Sequence, residues 1–161
     1  MFMRSLIMAT AAAMLMVFAF GAQAQQMPNP YGGPITLETA KKITAAAVAE
    51  AQKNNWKMAF AVADTAGHLV YFEKMDNTQT ASIKIAIVKA RAAATFKRPT
   101  KTFADAVAKG NNAILGLPGT VTSEGGIPIL VDGKIIGAIG ASGGTGEQDG
   151  IAAQAGLNTL K

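Results

Sequence analysis

Cysteine is absent from the 161-residue chain, and histidine occurs once, at His68. The absence of thiols excludes a disulfide scaffold, a cysteine nucleophile and thiolate sites for zinc or iron–sulfur clusters. The single imidazole excludes any metal site that requires two histidines from one chain. Aromatic residues are also scarce, at 6%, but apolar residues make up 50%, which is too many for a disordered protein.

Charge is limited as well, since Asp, Glu, Lys and Arg together make up 16% of the chain and the formal net charge is +5. The sequence contains no dense stretch of Lys and Arg interleaved with aromatic residues, which argues against nucleic acid as a partner. The length is that of one domain, and a chain of this size can bury a substantial core.

The first 24 residues have the three-part pattern of a secretory signal peptide. Arg4 precedes an apolar run at residues 6–20, and residues 22–24 (AQA) match a small-x-small cleavage site. The alternative is a membrane anchor, but the run is shorter than the ~20 residues that span a bilayer. Cleavage would leave 161 − 24 = 137 residues, and removal of Arg4 lowers the net charge from +5 to +4. We predict a periplasmic or secreted protein with no membrane association after cleavage.

The mature chain begins with a Pro- and Gly-rich stretch and continues as one domain. Residues 25–35 show no periodicity and predict a flexible N-terminal linker. Residues 36–161 form the predicted single domain. Between residues 110 and 156 the composition becomes rich in glycine.

Apolar residues recur at helical spacing in four segments. Thr36 is a good N-cap for the first of them. In the second, Ile83, Ile87, Ala90 and Ala94 form the face that we expect to point inward. The predicted helices cover residues 37–54, 81–96, 103–109 and 147–159.

Short apolar runs indicate strands between the helices. The predicted strands cover residues 58–64, 69–75, 127–131 and 134–141, with a fifth within 114–122. A Gly-containing turn joins the first two, and Asp132-Gly133 joins the next two, which predicts two hairpins. Because hairpins pair antiparallel, the fold class is α+β, with a central antiparallel sheet of about five strands flanked by helices.

Ser142 lies in a G-x-S-x-G sequence at residues 140–144, which is typical of a nucleophile elbow. Two facts oppose a catalytic serine. His68 precedes the serine, whereas the elbow fold places its histidine after it, and the mature chain is too short for that fold. A glycine-rich turn is the preferred interpretation.

Lys97, Arg98 and Lys101 surround Pro99 at a predicted helix end. One interpretation is favourable charge at a helix C-terminus. The other is a clamp for ligand carboxylates, because guanidinium and ammonium groups make strong charge-assisted hydrogen bonds.

Glu124 stands directly before Gly125 and Gly126. Paired glycines allow a ligand to approach the backbone closely, or they mark a bulge at the entry to a strand. The enzymatic alternative is a small enzyme acting on an organic acid. Glu124 or Asp149 would act as general base, and Arg91 or Arg98 would hold the carboxylate of the substrate.

Six short segments, in order and at consistent spacing, carry a family resemblance. They are residues 62–69 (VADTAGHL), 74–76 (KMD), 89–94 (KARAAA) with 99–100 (PT), 125–129 (GGIPI) with 132–133 (DG), 136–144 (IGAIGASGG) and 148–149 (QD). Together they resemble the GlcG/HbpS family of haem-binding proteins, to which the C-terminal domain of PduO-type proteins is related. The resemblance covers roughly residues 36–160.

The resemblance implies an antiparallel sheet between helices and haem as the ligand. It implies that His68, otherwise a surface residue on a turn, supplies an axial nitrogen to the haem iron. Cations would then meet the propionates, and Phe96 would cover the macrocycle. The candidate cofactor-binding residues are His68, Phe96, Lys97, Arg98, Lys101, Gly125 and Gly126.

The sequence therefore predicts an exported haem-binding protein that handles or senses haem or iron. The alternatives are a small enzyme acting on an organic acid and a non-catalytic accessory subunit of a catabolic pathway. Two predicted helices, 37–54 and 81–96, have apolar residues on more than one face, which predicts a homo-oligomer because large exposed apolar patches are uncommon on monomers.

Overall fold

A computed structural model of the chain describes residues 28–160, and the predicted signal peptide lies outside this range. In chain order the elements are α1 (Leu37–Lys53), β1 (Ala59–Ala63), β2 (Leu69–Lys74), α2 (Ala81–Thr95), α3 (Lys101–Ala108), a 3-10 helix (Asn112–Gly116), β3 (Gly126–Val131), β4 (Lys134–Ser142), α4 (Gly146–Leu157) and a second 3-10 helix (Asn158–Leu160). The four predicted helices are confirmed to within a few residues at each end. No helix between residues 28 and 160 is long and apolar enough to cross a membrane.

The strands form one antiparallel sheet in the order β2-β1-β4-β3. Both predicted hairpins are confirmed. Asp132 and Gly133 have φ of 49° and 70°, the left-handed geometry that a two-residue hairpin turn requires. The fold class is α+β with four strands, because the predicted strand within 114–122 is wrong. Part of that segment is 3-10 helix, and the Thr120 hydroxyl donates to the Leu117 carbonyl across the following turn.

Helices cover both faces of the sheet. α1 and α4 pack on one face, where the main apolar core contains Ile43, Phe60, Val62, Ile129 and Ile139, all fully buried. α2 covers the opposite face of β1 and β4. The central strands are therefore buried on both sides, and each helix needs only one apolar stripe to join the core.

The inward face of α2 differs from the prediction. Apart from Lys89, its buried residues are small ones such as Ala86 and Ala90, whereas Ile83 and Ile87 are half-exposed. The reason is the closeness of the helix to β4, where a Cβ added at Gly140 would collide with the Ala86 carbonyl. Only small side chains fit between backbones at this separation, so the branched residues turn outward.

The N-terminal segment also differs from the prediction of a flexible linker. Residues 30–35 lie extended along the first half of β4, where β1 does not reach. The Ile135 amide donates to the Pro30 carbonyl at 2.9 Å, and the Gly32 and Ile35 amides donate to β4 carbonyls at 2.8 Å. Ile35 is buried in the main core. We call residues 28–35 the N-terminal strap.

Candidate functional site

A cavity of about 540 Å³ opens where α2 ends. α2 stops at Thr95, and Lys97 follows in the left-handed conformation with φ of 55°. The Thr100 amide then donates to the Gly126 carbonyl at the start of β3 at 2.9 Å. The cavity is lined by Pro28, Asn29, Lys97, Arg98, Pro99, Thr102, Ile127, Pro128, Leu130 and Ile135.

Two of the predicted cations, Lys97 and Arg98, line this cavity. The Arg98 Nε donates to the Phe96 carbonyl at 3.1 Å, and its guanidinium carbon lies 6.0 Å from the centre of the Phe103 ring. The Lys97 Nζ lies 4.0 Å from the centre of the Tyr31 ring. Backbone and aromatic contacts thus hold both cations beside the apolar surface of the β3–β4 hairpin.

The lining suits a large amphipathic anion. Ile127, Pro128, Leu130 and Ile135 supply an apolar surface, and the two cations supply charge-assisted donors. The volume lies within the roughly 300–1,000 Å³ of typical small-molecule pockets. A planar apolar ring system with carboxylate substituents matches this arrangement better than a small, fully polar acid does.

His68 lies elsewhere, on the β1–β2 turn, and does not line the cavity. Its side chain is 78% exposed, and its Nδ1 lies 3.3 Å from the Asp64 carboxylate. The cavity lining contains no imidazole or thioether group, so it offers a haem iron none of the usual axial ligands. The cavity fits the porphyrin edge and the propionates of haem, but axial ligation must come from outside it.

The Asp64 carboxylate organises the turn that carries His68. Its Oδ1 accepts hydrogen bonds from the backbone amides of Ala66 and His68, each at 2.9 Å. Burial raises the pKa of Asp64, but these backbone bonds and the His68 side chain outweigh burial and leave the pKa below its usual value. The imidazole is thereby placed on a rigid turn while remaining open to solvent.

Phe96 and Lys101 are not brought to the cavity. Phe96 packs edge-on against Phe103, with ring centres 5.2 Å apart. It therefore supports the ring against which the Arg98 guanidinium lies, instead of covering a ligand. The Lys101 Nζ is 2.8 Å from Asp105 and 3.8 Å from Glu124. Its charge is already engaged with two carboxylates, which makes it a poor partner for a ligand anion.

Gly125 and Gly126 permit close packing of the protein rather than the approach of a ligand. Gly125 has φ of 124°, and a Cβ there would lie 2.7 Å from both the Ala141 carbonyl oxygen and the Asp149 Cβ. A Cβ at Gly126 would lie 2.7 Å from the Thr100 methyl group. Neither glycine lines the cavity.

Behind these glycines lies a buried ion pair that the sequence did not indicate. The Lys89 Nζ is 2.7 Å from the Asp149 carboxylate and donates to the Ala141 carbonyl at 3.1 Å, with the two side chains 1% and 4% exposed. Asp149 also accepts from the Gly144 amide at 3.0 Å. Burial raises the pKa of Asp149, and Lys89 and the neighbouring amides oppose this shift without cancelling it.

Within residues 28–160, the groups named for the enzymatic alternative are not brought together in one site. Asp149 is buried in an ion pair with Lys89. The Arg91 Nε donates to the Gly67 carbonyl at the β1–β2 turn. Glu124 lies against α4, in the space left by Gly150, and lines a second cavity of about 490 Å³. Arg98, the other candidate for holding the substrate carboxylate, lines the first cavity, whose lining includes neither Glu124 nor Asp149.

The G-x-S-x-G sequence has a structural role. Ser142 is 3% exposed, and its hydroxyl lies 3.2 Å from the Ser82 hydroxyl, so it links β4 to α2. The apolar lining of the cavity was missed as a site because Ile127, Leu130 and Ile135 look like ordinary strand residues. Only Pro128, which limits β3 to an edge, hinted at an open surface there.

Comparison with known proteins identifies the family. The model of the family described as haem-degrading protein HbpS-like matches residues 35–158. The chain is also 43% identical over 108 residues to Protein GlcG of Escherichia coli strain K12, which covers 67% of this chain and 81% of GlcG. The chain belongs to the HbpS-like family. The predicted GlcG/HbpS resemblance is thus confirmed.

Solved structures of HbpS-like proteins share the fold. A double mutant of HbpS from Streptomyces reticuli is similar with a TM-score of 0.74 and 30% identity, covering 90% of this chain and 96% of that one. A PduOC–haem complex is similar with a TM-score of 0.72 and 29% identity, covering 80% and 96%. These relatives support the antiparallel sheet with helices on both faces and a haem-related role for the family.

Proposed function

We propose that this protein binds haem in the cavity at the end of α2. The observation that carries the proposal is the pairing of an apolar β3–β4 surface with Lys97 and Arg98 at one site. Membership of the HbpS-like family and the likeness to a PduOC–haem complex support the choice of haem among amphipathic dicarboxylates.

In this proposal the apolar residues contact the porphyrin and the cations contact the propionates. Leu130 is 43% exposed, so covering it removes apolar surface from water. Arg98 is suited to a carboxylate because its planar guanidinium donates two parallel hydrogen bonds. Bound haem would supply the iron chemistry, and the chain would supply binding, orientation and charge.

We propose His68 as an axial ligand that acts between copies of the chain. Its imidazole is outside the cavity of its own chain and is 78% exposed, so it is free to meet a haem held by another copy. It is also the only histidine in the sequence. This arrangement joins the proposed haem site to the proposed oligomer.

Haem titration of the mature chain, residues 25–161, tests the proposed site. We expect a saturable Soret change in the wild type. We expect Lys97→Met with Arg98→Met to weaken binding at least about tenfold, because charge-assisted hydrogen bonds are worth roughly 1.5–3 kcal/mol each. The paired variant Lys41→Met with Lys109→Met removes the same charge at exposed positions outside the cavity and serves as control. Equal affinity in both paired variants would contradict the site.

The His68→Ala variant tests axial ligation separately. We expect haem to remain bound, because the cavity is unchanged, with a Soret band displaced from that of the wild type. Asp64→Asn is a useful companion, since it alters the turn without removing the imidazole. A spectrum of His68→Ala identical to the wild type would remove His68 from the role and leave haem binding intact.

A small organic acid is the second candidate ligand, because Lys97 and Arg98 would hold any carboxylate. The apolar lining distinguishes the two. A small acid would leave the surface around Ile127 and Leu130 uncovered, whereas a porphyrin would cover it. Competition of haem binding by millimolar acetate, glycolate or succinate is expected to be weak, and strong competition would favour the small acid.

Export and a role in haem or iron handling or sensing complete the proposal. The signal-peptide pattern of residues 1–24 supports a periplasmic or secreted location. Mass spectrometry of the protein purified from its host should find an N-terminus at Gln25. A mass that includes the first 24 residues would contradict export by cleavage.

A further inference from the structure

Tyr31, in the N-terminal strap, makes two different contacts at the end of α2. Its hydroxyl donates to the Ala94 carbonyl at 2.9 Å, with the Thr95 carbonyl 3.3 Å away. Its ring lies 4.0 Å below the Lys97 ammonium. The last carbonyls of a helix have no partner within the helix, so the tyrosine satisfies one of them and fixes its own position.

Lys97 occupies a conformation that a lysine does not adopt without cost. Its φ of 55° lies in the left-handed region, which at the end of a helix is usually filled by glycine. A non-glycine residue in such a conformation persists only where its surroundings hold it. The Tyr31 ring is one such restraint, and an ammonium on an aromatic face keeps its N–H donors available to another partner.

The strap contributes to the cavity beyond Tyr31, because Pro28 and Asn29 form part of the lining. The same short segment therefore provides a wall of the cavity and a support for one of its two cations. It is held to β4 by the Pro30 carbonyl and by the Gly32 and Ile35 amides, so this placement is built into the fold.

We propose that Tyr31 is a positioning residue of the anion site, acting through Lys97. The ring holds the ammonium at the cavity, where it meets one carboxylate of the ligand. This inference rests on the proposed haem site and names the residue that sets its preference for a charged propionate.

The test compares haem with haem dimethyl ester, whose propionates are neutral, in the full mature chain. Tyr31→Leu removes both the ring and the hydroxyl, whereas Tyr31→Phe keeps the ring. We expect Tyr31→Leu to weaken haem binding roughly fivefold, Tyr31→Phe to bind like the wild type, and ester binding to change in neither. We also expect Tyr31→Leu to have no further effect in a Lys97→Met background.

The outcomes distinguish the role of Tyr31 from haem binding itself. If Tyr31→Leu weakens haem and ester equally, or adds to Lys97→Met, the tyrosine merely caps α2 and the inference is overturned. Tighter haem binding in Tyr31→Leu would also overturn it, because the ring would then compete with the ligand for Lys97. Failure of the wild type to bind either compound would instead overturn the proposed function.

Discussion

The buried pair of Lys89 and Asp149 is the most consequential polar contact among the described residues. It joins α2 to the start of α4 and, through the Ala141 carbonyl, to the end of β4. Such a pair adds little net stability compared with an apolar substitute, but loss of one member leaves the other buried and uncompensated. Its placement therefore indicates a role in fixing how the three elements meet.

Replacement of Lys89 by methionine is expected to lower the free energy of unfolding by about 3–5 kcal/mol, because the Asp149 carboxylate loses its cation. Asp149→Asn in the same chain should recover part of this loss by removing the orphaned charge. Urea unfolding followed by circular dichroism measures both effects. Lys84→Met, at an exposed position of the same helix, should change stability by less than about 0.5 kcal/mol. A loss below about 1 kcal/mol in Lys89→Met would contradict the assigned role.

Asp64 gives the stability a predictable pH dependence. The pKa of Asp64 lies below its usual value in the folded chain, so its charged form stabilises the fold above the unfolded pKa of ~4. This stabilisation disappears as the pH falls through the folded pKa. Asp64→Asn should cost about 1 kcal/mol at pH 7, because it weakens two backbone hydrogen bonds to a charged acceptor. Unfolding measured between pH 2 and pH 7 should show the variant and the wild type converging in acid. A constant difference across that range would be inconsistent with this account.

The contact between α2 and β4 depends on small residues. Gly140 lies under Ala86 and Ala90, and there is no space for a Cβ between the backbones. Large apolar side chains would force the helix away from the sheet, so the alanine stripe is a condition of this packing rather than a sign of weak burial.

Gly140→Ala is therefore expected to destabilise the fold by about 3 kcal/mol or more, since the added methyl group collides with backbone atoms that cannot move independently. Gly116→Ala provides a matched control, because no atom lies within 4 Å of the added Cβ. The control should be neutral or slightly stabilising. Thermal unfolding of both variants distinguishes them, and similar melting temperatures would show that α2 can shift at small cost.

The packing of α2 on the sheet also leaves an apolar surface that we expect to form an interface between copies of the chain. Because α2 turns its small residues inward, Ile83, Ile87 and Val88 remain half-exposed or exposed on its outer side. Leu69, on the edge strand β2, is also 48% exposed. An apolar surface of this kind is commonly buried against another chain, and homo-oligomers usually close with cyclic symmetry.

We expect light scattering on the mature protein at micromolar concentration to give a mass that is a multiple of the 137-residue chain. Val88→Glu with Ile87→Lys should shift the mass toward a single chain, because charges on this surface cannot be buried without partners. Lys41→Glu, an exposed change in α1 on the opposite face of the sheet, should not. A stable single-chain mass for the wild type would refute the oligomer and, with it, the shared-haem role of His68.

Local sequence signals were sufficient for the four helices and the four strands, although they also predicted a fifth strand within 114–122 that the fold does not contain. Apolar periodicity marked α1, Thr36 marked its start, and Asp132-Gly133 marked the β3–β4 hairpin, because each of these preferences acts within a few residues. The same signals do not specify which face of a helix meets the sheet. For α2, the inward face is decided by the short distance between the helix backbone and Gly140 of β4. Alanine therefore faces the sheet where the apolar periodicity favoured isoleucine.

The candidate site was only partly within reach of the sequence. Lys97 and Arg98 were identified from their charge and their position beside a proline. Ile127 and Ile135 line the same cavity only because the tertiary fold brings the β3–β4 hairpin next to the end of α2. Tyr31 was assigned to a linker because its contacts are to residues more than 60 positions away, which no local pattern records. A chain fixes its secondary structure through neighbouring residues, whereas a cavity is formed by distant segments that meet only after packing.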